Sequence, residues 1–225
     1  METRAVVINE YGGKEKLAEA KVSLPELGAD QVLVKVAATS INPIDWKLRE
    51  GYLKQMFPWS FPIILGWDVA GEIVEVDQKV KDYHVGDRIF ARPETTRFGT
   101  YADYTIVDSN LLAPVPESIA FTEAAAVPLA GLTALQALFD HGSLKAGEKV
   151  LIHAGAGGVG TYAIQLAKNA GAYVITTASP RNHELVKKLG ADEVIDYHTT
   201  DFEEVLTDID LVFDTMGGEI QKKSF

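Results

Sequence analysis

The residues best placed by type and spacing to do chemistry are glycines: Gly155-Ala156-Gly157-Gly158-Val159-Gly160, in a chain of 225 residues. They bring no reactive side chain. What they offer is backbone that turns tightly and lets a ligand come close, next to helix N–H groups that attract negative charge. Such a run binds the pyrophosphate of a dinucleotide when it follows a strand and opens a helix. An ordinary strand-to-helix turn that merely needs small residues is the competing reading. After the next apolar run comes Thr177-Ala178-Ser179-Pro180-Arg181-Asn182-His183. An NAD site usually carries Asp or Glu there for the ribose 2′-OH, and a carboxylate would repel a 2′-phosphate. No acid is present, and Ser179 and Arg181 offer a hydroxyl and a cation, so NADP(H) is the expected cofactor. Arg181 also fits an exposed residue at a helix start.

Other candidates are weaker. The chain has no cysteine, which excludes disulfides, thiolate catalysis and Cys-based metal sites. His153 falls in a predicted strand and reads as a packed core histidine. His84, His141, His183 and His198 lie in turns or at helix starts without metal-ligand spacing and read as surface residues. Trp46, Trp59 and Trp67 fit an aromatic substrate cleft and a core equally well.

The elements that must position the glycine turn follow from periodicity. Val150, Leu151 and Ile152 make a buried parallel strand within 149–154, and Val159, Tyr162, Ala163, Leu166 and Ala167 recur at helical spacing within 158–170. Strands at 172–177, 193–196 and 210–214, with helices at 181–189 and 201–207, complete βαβ units. Before about residue 122 the chain reads as mostly β, with strands at 5–8, 31–38, 69–76 and 87–91 and little helical periodicity. From Thr122 an alanine-rich helix begins, Pro128 interrupts it, and helical spacing resumes over 131–139. Asp210-Leu211-Val212-Phe213-Asp214 is followed by the turn Met216-Gly217-Gly218, and a two-halved dinucleotide fold expects further strands after it.

Composition is ordinary for a globular protein, 47% hydrophobic and 24% charged, with a formal net charge of −11. That charge argues against nucleic acid or an anionic membrane as the main partner. The N-terminus lacks the apolar core of a signal peptide, and no run approaches the roughly 18 apolar residues of a membrane span. A cytoplasmic protein is expected.

Taken in order, Ser40-Ile41-Asn42-Pro43-Ile44-Asp45, Gly66-Trp67-Asp68-Val69-Ala70-Gly71, Val85-Gly86-Asp87-Arg88, Gly99-Thr100-Tyr101-Ala102-Asp103-Tyr104, Gly131-Leu132-Thr133-Ala134 and the glycine turn resemble the medium-chain dehydrogenase/reductase superfamily. The likeness is greatest to its zinc-independent NADPH:quinone oxidoreductase branch and spans nearly the whole chain. It implies an α/β protein: a GroES-like β catalytic domain over 1–121, then a Rossmann-type doubly wound parallel sheet over 122–225, incomplete at the C-terminus. It implies hydride transfer from NADPH to a quinone or an α,β-unsaturated carbonyl. Zinc-dependent relatives carry Gly-His-Glu where Gly66-Trp67-Asp68 stands, so no metal is expected. The likeness puts Asn42, Asp45 and Tyr52 at the catalytic site, with Tyr52 a proton donor. It puts Thr133 near the nicotinamide and Tyr197 beside the 2′-phosphate. Asn42 also fits a cap on a proline turn. Where some relatives have lysine for the 2′-phosphate, Asn182 aligns, which leaves that role to Arg181. A homo-oligomer, a dimer, is the expected assembly. The alternative is a truncated, catalytically impaired NADPH-binding protein, a sensor or a structural relic.

Overall fold

The computed structural model describes residues 1–224. The chain forms two compact units, Met1–Leu129 and Ala130–Phe225.

The first unit is built on antiparallel strands. β1 (Glu2–Ile8) pairs with β2 (Leu17–Ser23), β3 (Gln31–Ala38) follows, and α1 (Pro43–Arg49) comes next. Then come β4 (Ile63–Ile64), β5 (Val69–Val76), β6 (Arg88–Ala91), β7 (Tyr104–Asp108), β8 (Leu112–Pro114) and the short α2 (Phe121–Ala124). Two sheets result, one in the order β2-β1-β4 and one in the order β7-β3-β5-β6-β8. Alternation along β3 explains how the larger sheet is buried on both faces. Val32 and Val34 pack with Val69, Ile73, Ile89 and Val107 on one side, while Leu33 joins Ala5, Val7, Val22 and Ile64 on the other.

Helix α1 departs from the mostly β expectation. At seven residues it is too short to show periodicity, and its signal is a start signal instead. Asn42 is the N-cap, Pro43 occupies the first turn where its missing N–H costs nothing, and the Asp45 carboxylate accepts the Asn42 N–H at 2.7 Å. Pro128 likewise opens a helix, α3 (Pro128–Leu135), where a break was expected. A wider π-helical turn over Gln136–His141 continues it.

The second unit alternates strand and helix: β9 (Lys149–Ile152), α4 (Gly158–Asn169), β10 (Tyr173–Thr177), α5 (His183–Lys188), β11 (Glu193–Ile195), α6 (Phe202–Val205), β12 (Leu211–Phe213) and α7 (Gly218–Lys223). The four strands are parallel in the order β11-β10-β9-β12. Val150, Ile152 and Val174 face α4 residues Ala163, Ile164 and Ala167, whereas Leu151 and Ile175 pack with Ile195 and Phe202 on the opposite face. This two-sided cover is why the strands read as unbroken apolar runs. A fully buried side chain such as Ile164 contributes about 1.5–3 kcal/mol. The expected strands shorten by one or two residues at their ends. β9 stops at Ile152 rather than 154, because Ala154 adopts a left-handed conformation with φ +53°.

The turn from β9 into α4 depends on close backbone approach. A Cβ on Gly160 would collide with the Ala154 carbonyl oxygen and lie 2.7 Å from Gly155 Cα. A Cβ on Gly155 would collide with the Thr176 hydroxyl and lie 2.9 Å from Ile164 Cδ1. Gly158 has nothing within 4 Å of that position. Gly160→Ala should therefore destabilise the protein by about 1–3 kcal/mol, the usual cost of overpacking. Gly158→Ala should stay within about 1 kcal/mol of wild type. Urea unfolding of the two variants measures the difference, and equal costs would contradict this account of the turn.

Candidate functional site

Two regions carry the residues singled out from sequence, one in each unit. In the second unit Thr177, at the end of β10, holds the glycine turn. Its hydroxyl accepts the Ala154 N–H at 3.0 Å and its carbonyl accepts the Gly155 N–H at 3.0 Å. Gly157 is the N-cap of α4, a helix of 12 residues. The first N–H groups of such a helix have no intrahelical partner, and the aligned peptide dipoles make that end positive. Beside it opens a cavity of about 210 Å³. Gly157 lines one part of it and Ser179, Arg181, Asn182 and Tyr197 line others. Arg181 is the one charged side chain among its described lining residues, and no carboxylate lines it. Ser179 caps the short 3-10 turn Pro180–Asn182, which brings Arg181 and Asn182 to the end of β10. Tyr197 is 56% exposed, with its ring 4.3 Å from that of His198.

The remaining residues of the motif divide by role. Gly158 is exposed at the helix start, Val159 packs half-buried against the core, and Gly160 is buried beneath Ala154. Thr133 lies on α3, exposed and outside the lining of this cavity. His153 is buried, with its ring edge-on to Phe202 at 4.6 Å. Burial pulls its pKa below the ordinary histidine value, with the Asp214 charge acting the other way. It is the core histidine its strand position suggests. His183 is half-buried rather than a surface residue, because its Nε2 lies 3.1 Å from the Ala178 carbonyl. Open glycines at a helix start, one cation and no acid suit a pyrophosphate and a 2′-phosphate.

In the first unit Asn42 and Asp45 start α1 and join a buried polar cluster. Asp45 Oδ2 accepts the Asn42 N–H and the Tyr101 hydroxyl, both at 2.7 Å, while its Oδ1 is buried with no partner. Asn42 Nδ2 donates to Ser40 Oγ at 2.9 Å and to Asp68 Oδ2 at 2.8 Å. Asp68 is fully buried, yet its oxygens also take a short hydrogen bond from Ser40 Oγ and the Leu129 N–H at 2.9 Å. Burial raises the pKa of both carboxyls above the usual aspartate value, and their hydrogen bonds offset part of that rise. Burial, then the hydrogen bond to Asp45, raises the Tyr101 phenol. Tyr52 stands apart from this cluster, 70% exposed and edge-on to Trp46 at 5.8 Å.

Sequence reasoning did not single out Asp68 or Tyr101. Both sit in quoted motifs, Gly66-Trp67-Asp68 and Gly99-Thr100-Tyr101, and that was the only signal for them. The tryptophans separate: Trp67 is fully buried and donates from Nε1 to the Thr96 carbonyl at 3.1 Å, Trp59 is half-buried against it, and Trp46 is exposed.

Family models match both units: the alcohol dehydrogenase GroES-like domain over residues 28–117 and the zinc-binding dehydrogenase over residues 158–225. A quinone oxidoreductase structure from Coxiella burnetii superposes with a TM-score of 0.93 at 40% identity, covering 100% of this chain and 72% of that one. This chain belongs to the medium-chain dehydrogenase/reductase superfamily, in its quinone oxidoreductase branch. Among curated relatives, a chloroplast envelope quinone oxidoreductase homolog from Arabidopsis thaliana is 44% identical over 201 residues, 87% of this chain and 61% of that protein. The chloroplastic NADPH-dependent alkenal/one oxidoreductase of the same plant is 41% identical over 225 residues, 96% of this chain and 58% of that protein. The chain thus spans about three-fifths of the length of these curated relatives. Although one matching model is described as zinc-binding, no group of three or more His, Cys, Asp or Glu among the described residues could hold a metal ion. No helix among them is long and apolar enough to cross a membrane.

The raised carboxyls give a pH dependence with a definite sign. A carboxyl whose folded pKa exceeds its unfolded one binds its proton more tightly when folded. Its contribution to stability therefore falls as pH rises from the ordinary aspartate value, about 3.9, through the raised value. Asp45→Asn can keep its carbonyl oxygen on the Asn42 N–H and the Tyr101 hydroxyl while removing the buried charge. Unfolding followed across this window should show a flatter pH profile for the variant, and an unchanged slope would contradict the assignment.

Proposed function

We propose that this protein is an NADPH-dependent oxidoreductase that reduces a quinone or an α,β-unsaturated carbonyl compound without zinc. The observation that carries the reading is the cavity at the end of β10, with Arg181 as the one charged side chain and no carboxylate among its described lining residues. The quinone and alkenal/one oxidoreductases among its relatives support the same class of acceptor. The absence of cysteine supports zinc independence, as does a buried, hydrogen-bonded Trp67 where zinc-dependent relatives carry histidine.

The cofactor, when bound, supplies the hydride. The protein's own groups bind and orient. Gly158 leaves room at the start of α4 for a pyrophosphate beside Gly157, which lines the cavity, and Arg181 and Ser179, flanked by Tyr197, would hold the 2′-phosphate. On the acceptor side, Asp45 is a positioning residue: it is buried and its bonded oxygen accepts from the Asn42 N–H and the Tyr101 hydroxyl, which fixes the start of α1. Exposed Tyr52 is our assignment for the group that returns a proton to the reduced product.

Fluorescence titration with NADPH, and with NADH as control, tests the cofactor half of this reading. Arg181→Ala should weaken NADPH binding about tenfold, the loss of one charge-assisted contact, while leaving NADH nearly unaffected. Equal affinities for the two nucleotides, or an Arg181→Ala variant that keeps the full wild-type preference for NADPH, would overturn it. Reduction of quinones and enones by the protein with NADPH tests the acceptor half.

A further inference from the structure

The polar cluster around α1 determines which way the Asn42 amide faces. Its two amide hydrogens are both spent inside the protein, one on Asp68 Oδ2 at 2.8 Å and one on Ser40 Oγ at 2.9 Å. The Ser40 hydroxyl donates its own proton to Asp68, so its lone pairs are available for the Asn42 hydrogen. Turning the amide over would set the Asn42 carbonyl oxygen against the Asp68 carboxylate, two acceptors facing each other. Asp68 is held in place by the Leu129 N–H on its other oxygen, and it is completely buried. The Asn42 side chain makes no cap bond to the helix, because the Asp45 N–H goes to the Asn42 main-chain carbonyl at 3.0 Å. That leaves Asn42 Oδ1 without a hydrogen-bond partner among the described residues, and it is not among their buried unpartnered atoms.

We infer that Asp68 is a positioning residue that locks Asn42 with its carbonyl oxygen outward, so that Asn42 recognises a hydrogen-bond donor on its ligand, a hydroxyl or an amide N–H. The oxidised acceptor offers only carbonyl oxygens, which this geometry refuses. A reduced quinone carries hydroxyls, and so does a nucleotide cofactor. The choice between those two ligands rests on the reductase reading above, whereas the orientation of the amide does not.

Replacing Asp68 reverses the polarity. In Asp68→Asn the new amide must keep its oxygen on the Leu129 N–H, which turns its NH2 toward Asn42. The Asn42 amide then inverts, accepting inward and presenting its own NH2 outward.

The test is side-chain amide hydrogen exchange by NMR on the whole protein, with the Asn42 resonance assigned by its loss in Asn42→Ala. Wild type should exchange both Asn42 amide hydrogens more slowly than a free amide, about tenfold for the one bonded to the Asp68 carboxylate. Asp68→Asn should lose that protection. Ser40→Ala should free one hydrogen and leave the other on Asp68, which supplies a readout if Asp68→Asn does not fold. An unprotected amide in wild type, or equal protection in the variants, overturns the inference. None of these outcomes depends on turnover. Adding 1,4-hydroquinone or NADPH separately then identifies which hydroxyl shifts the Asn42 signals. A response to p-benzoquinone alone overturns the acceptor assignment. No response to any of the three overturns recognition of a hydroxyl and counts against the reductase reading, while the orientation would stand on its exchange data.

Discussion

The second unit depends on one close approach, the carbonyl of Ala154 lying against the backbone of Gly160. A side chain at that point would lift α4 away from β9, and Ala163, Ile164 and Ala167 would lose their contact with Val150, Ile152 and Val174. The same approach sets the first turn of α4 at the end of the sheet's two central strands. Glycine is thus required at residues 155 and 160 for packing, a Cβ at 157 would sit 3.2 Å from the Ala154 carbonyl oxygen, and at 158 glycine leaves space that the protein itself does not fill. The strand order β11-β10-β9-β12 reverses direction between β9 and β12, and open α/β sheets bind their ligands outside the carboxyl ends of strands at such a reversal.

The first unit meets a different constraint, the cost of burying carboxylates. Asp68 is buried completely and Asp45 almost so, in surroundings that disfavour the charged form. Three donors satisfy Asp68 and two satisfy one oxygen of Asp45. What these bonds gain in return is definition: the start of α1, the Asn42 amide and the Tyr101 hydroxyl each have a single arrangement that leaves no two like groups opposed. A cluster of this kind is worth more as a set of fixed orientations than as net stability.

Much of this was legible in sequence where the cause is local. The glycine turn could be read because strand, turn and helix are contiguous and Gly155 and Gly160 have steric reasons to be glycine. The strands of the second unit could be read because burial on both faces leaves only apolar residues. Their ends ran long, since hydrophobicity does not register a left-handed residue such as Ala154. Helix α1 was missed because seven residues give no period to detect. Asp68 was missed because its meaning comes from partners 28, 26 and 61 residues away in sequence. A lone aspartate after a tryptophan says nothing until the fold brings Ser40, Asn42 and Leu129 to it.

The strand order also bears on how the chain acquires its structure. The contact between β9 and β10 joins residues 24 apart, as in the bond from the Thr176 hydroxyl to the Ile152 carbonyl. The contact between β9 and β12 joins residues 61 apart, as in the bond from the Lys149 N–H to Asp210. Closing the longer loop costs about 0.8 kcal/mol more in chain entropy. The first strand of the sheet can therefore pair on one side soon after its neighbour is made, while its other edge must wait for the chain to return. Until it returns, β9 presents open backbone groups along the edge that β12 covers in the folded sheet.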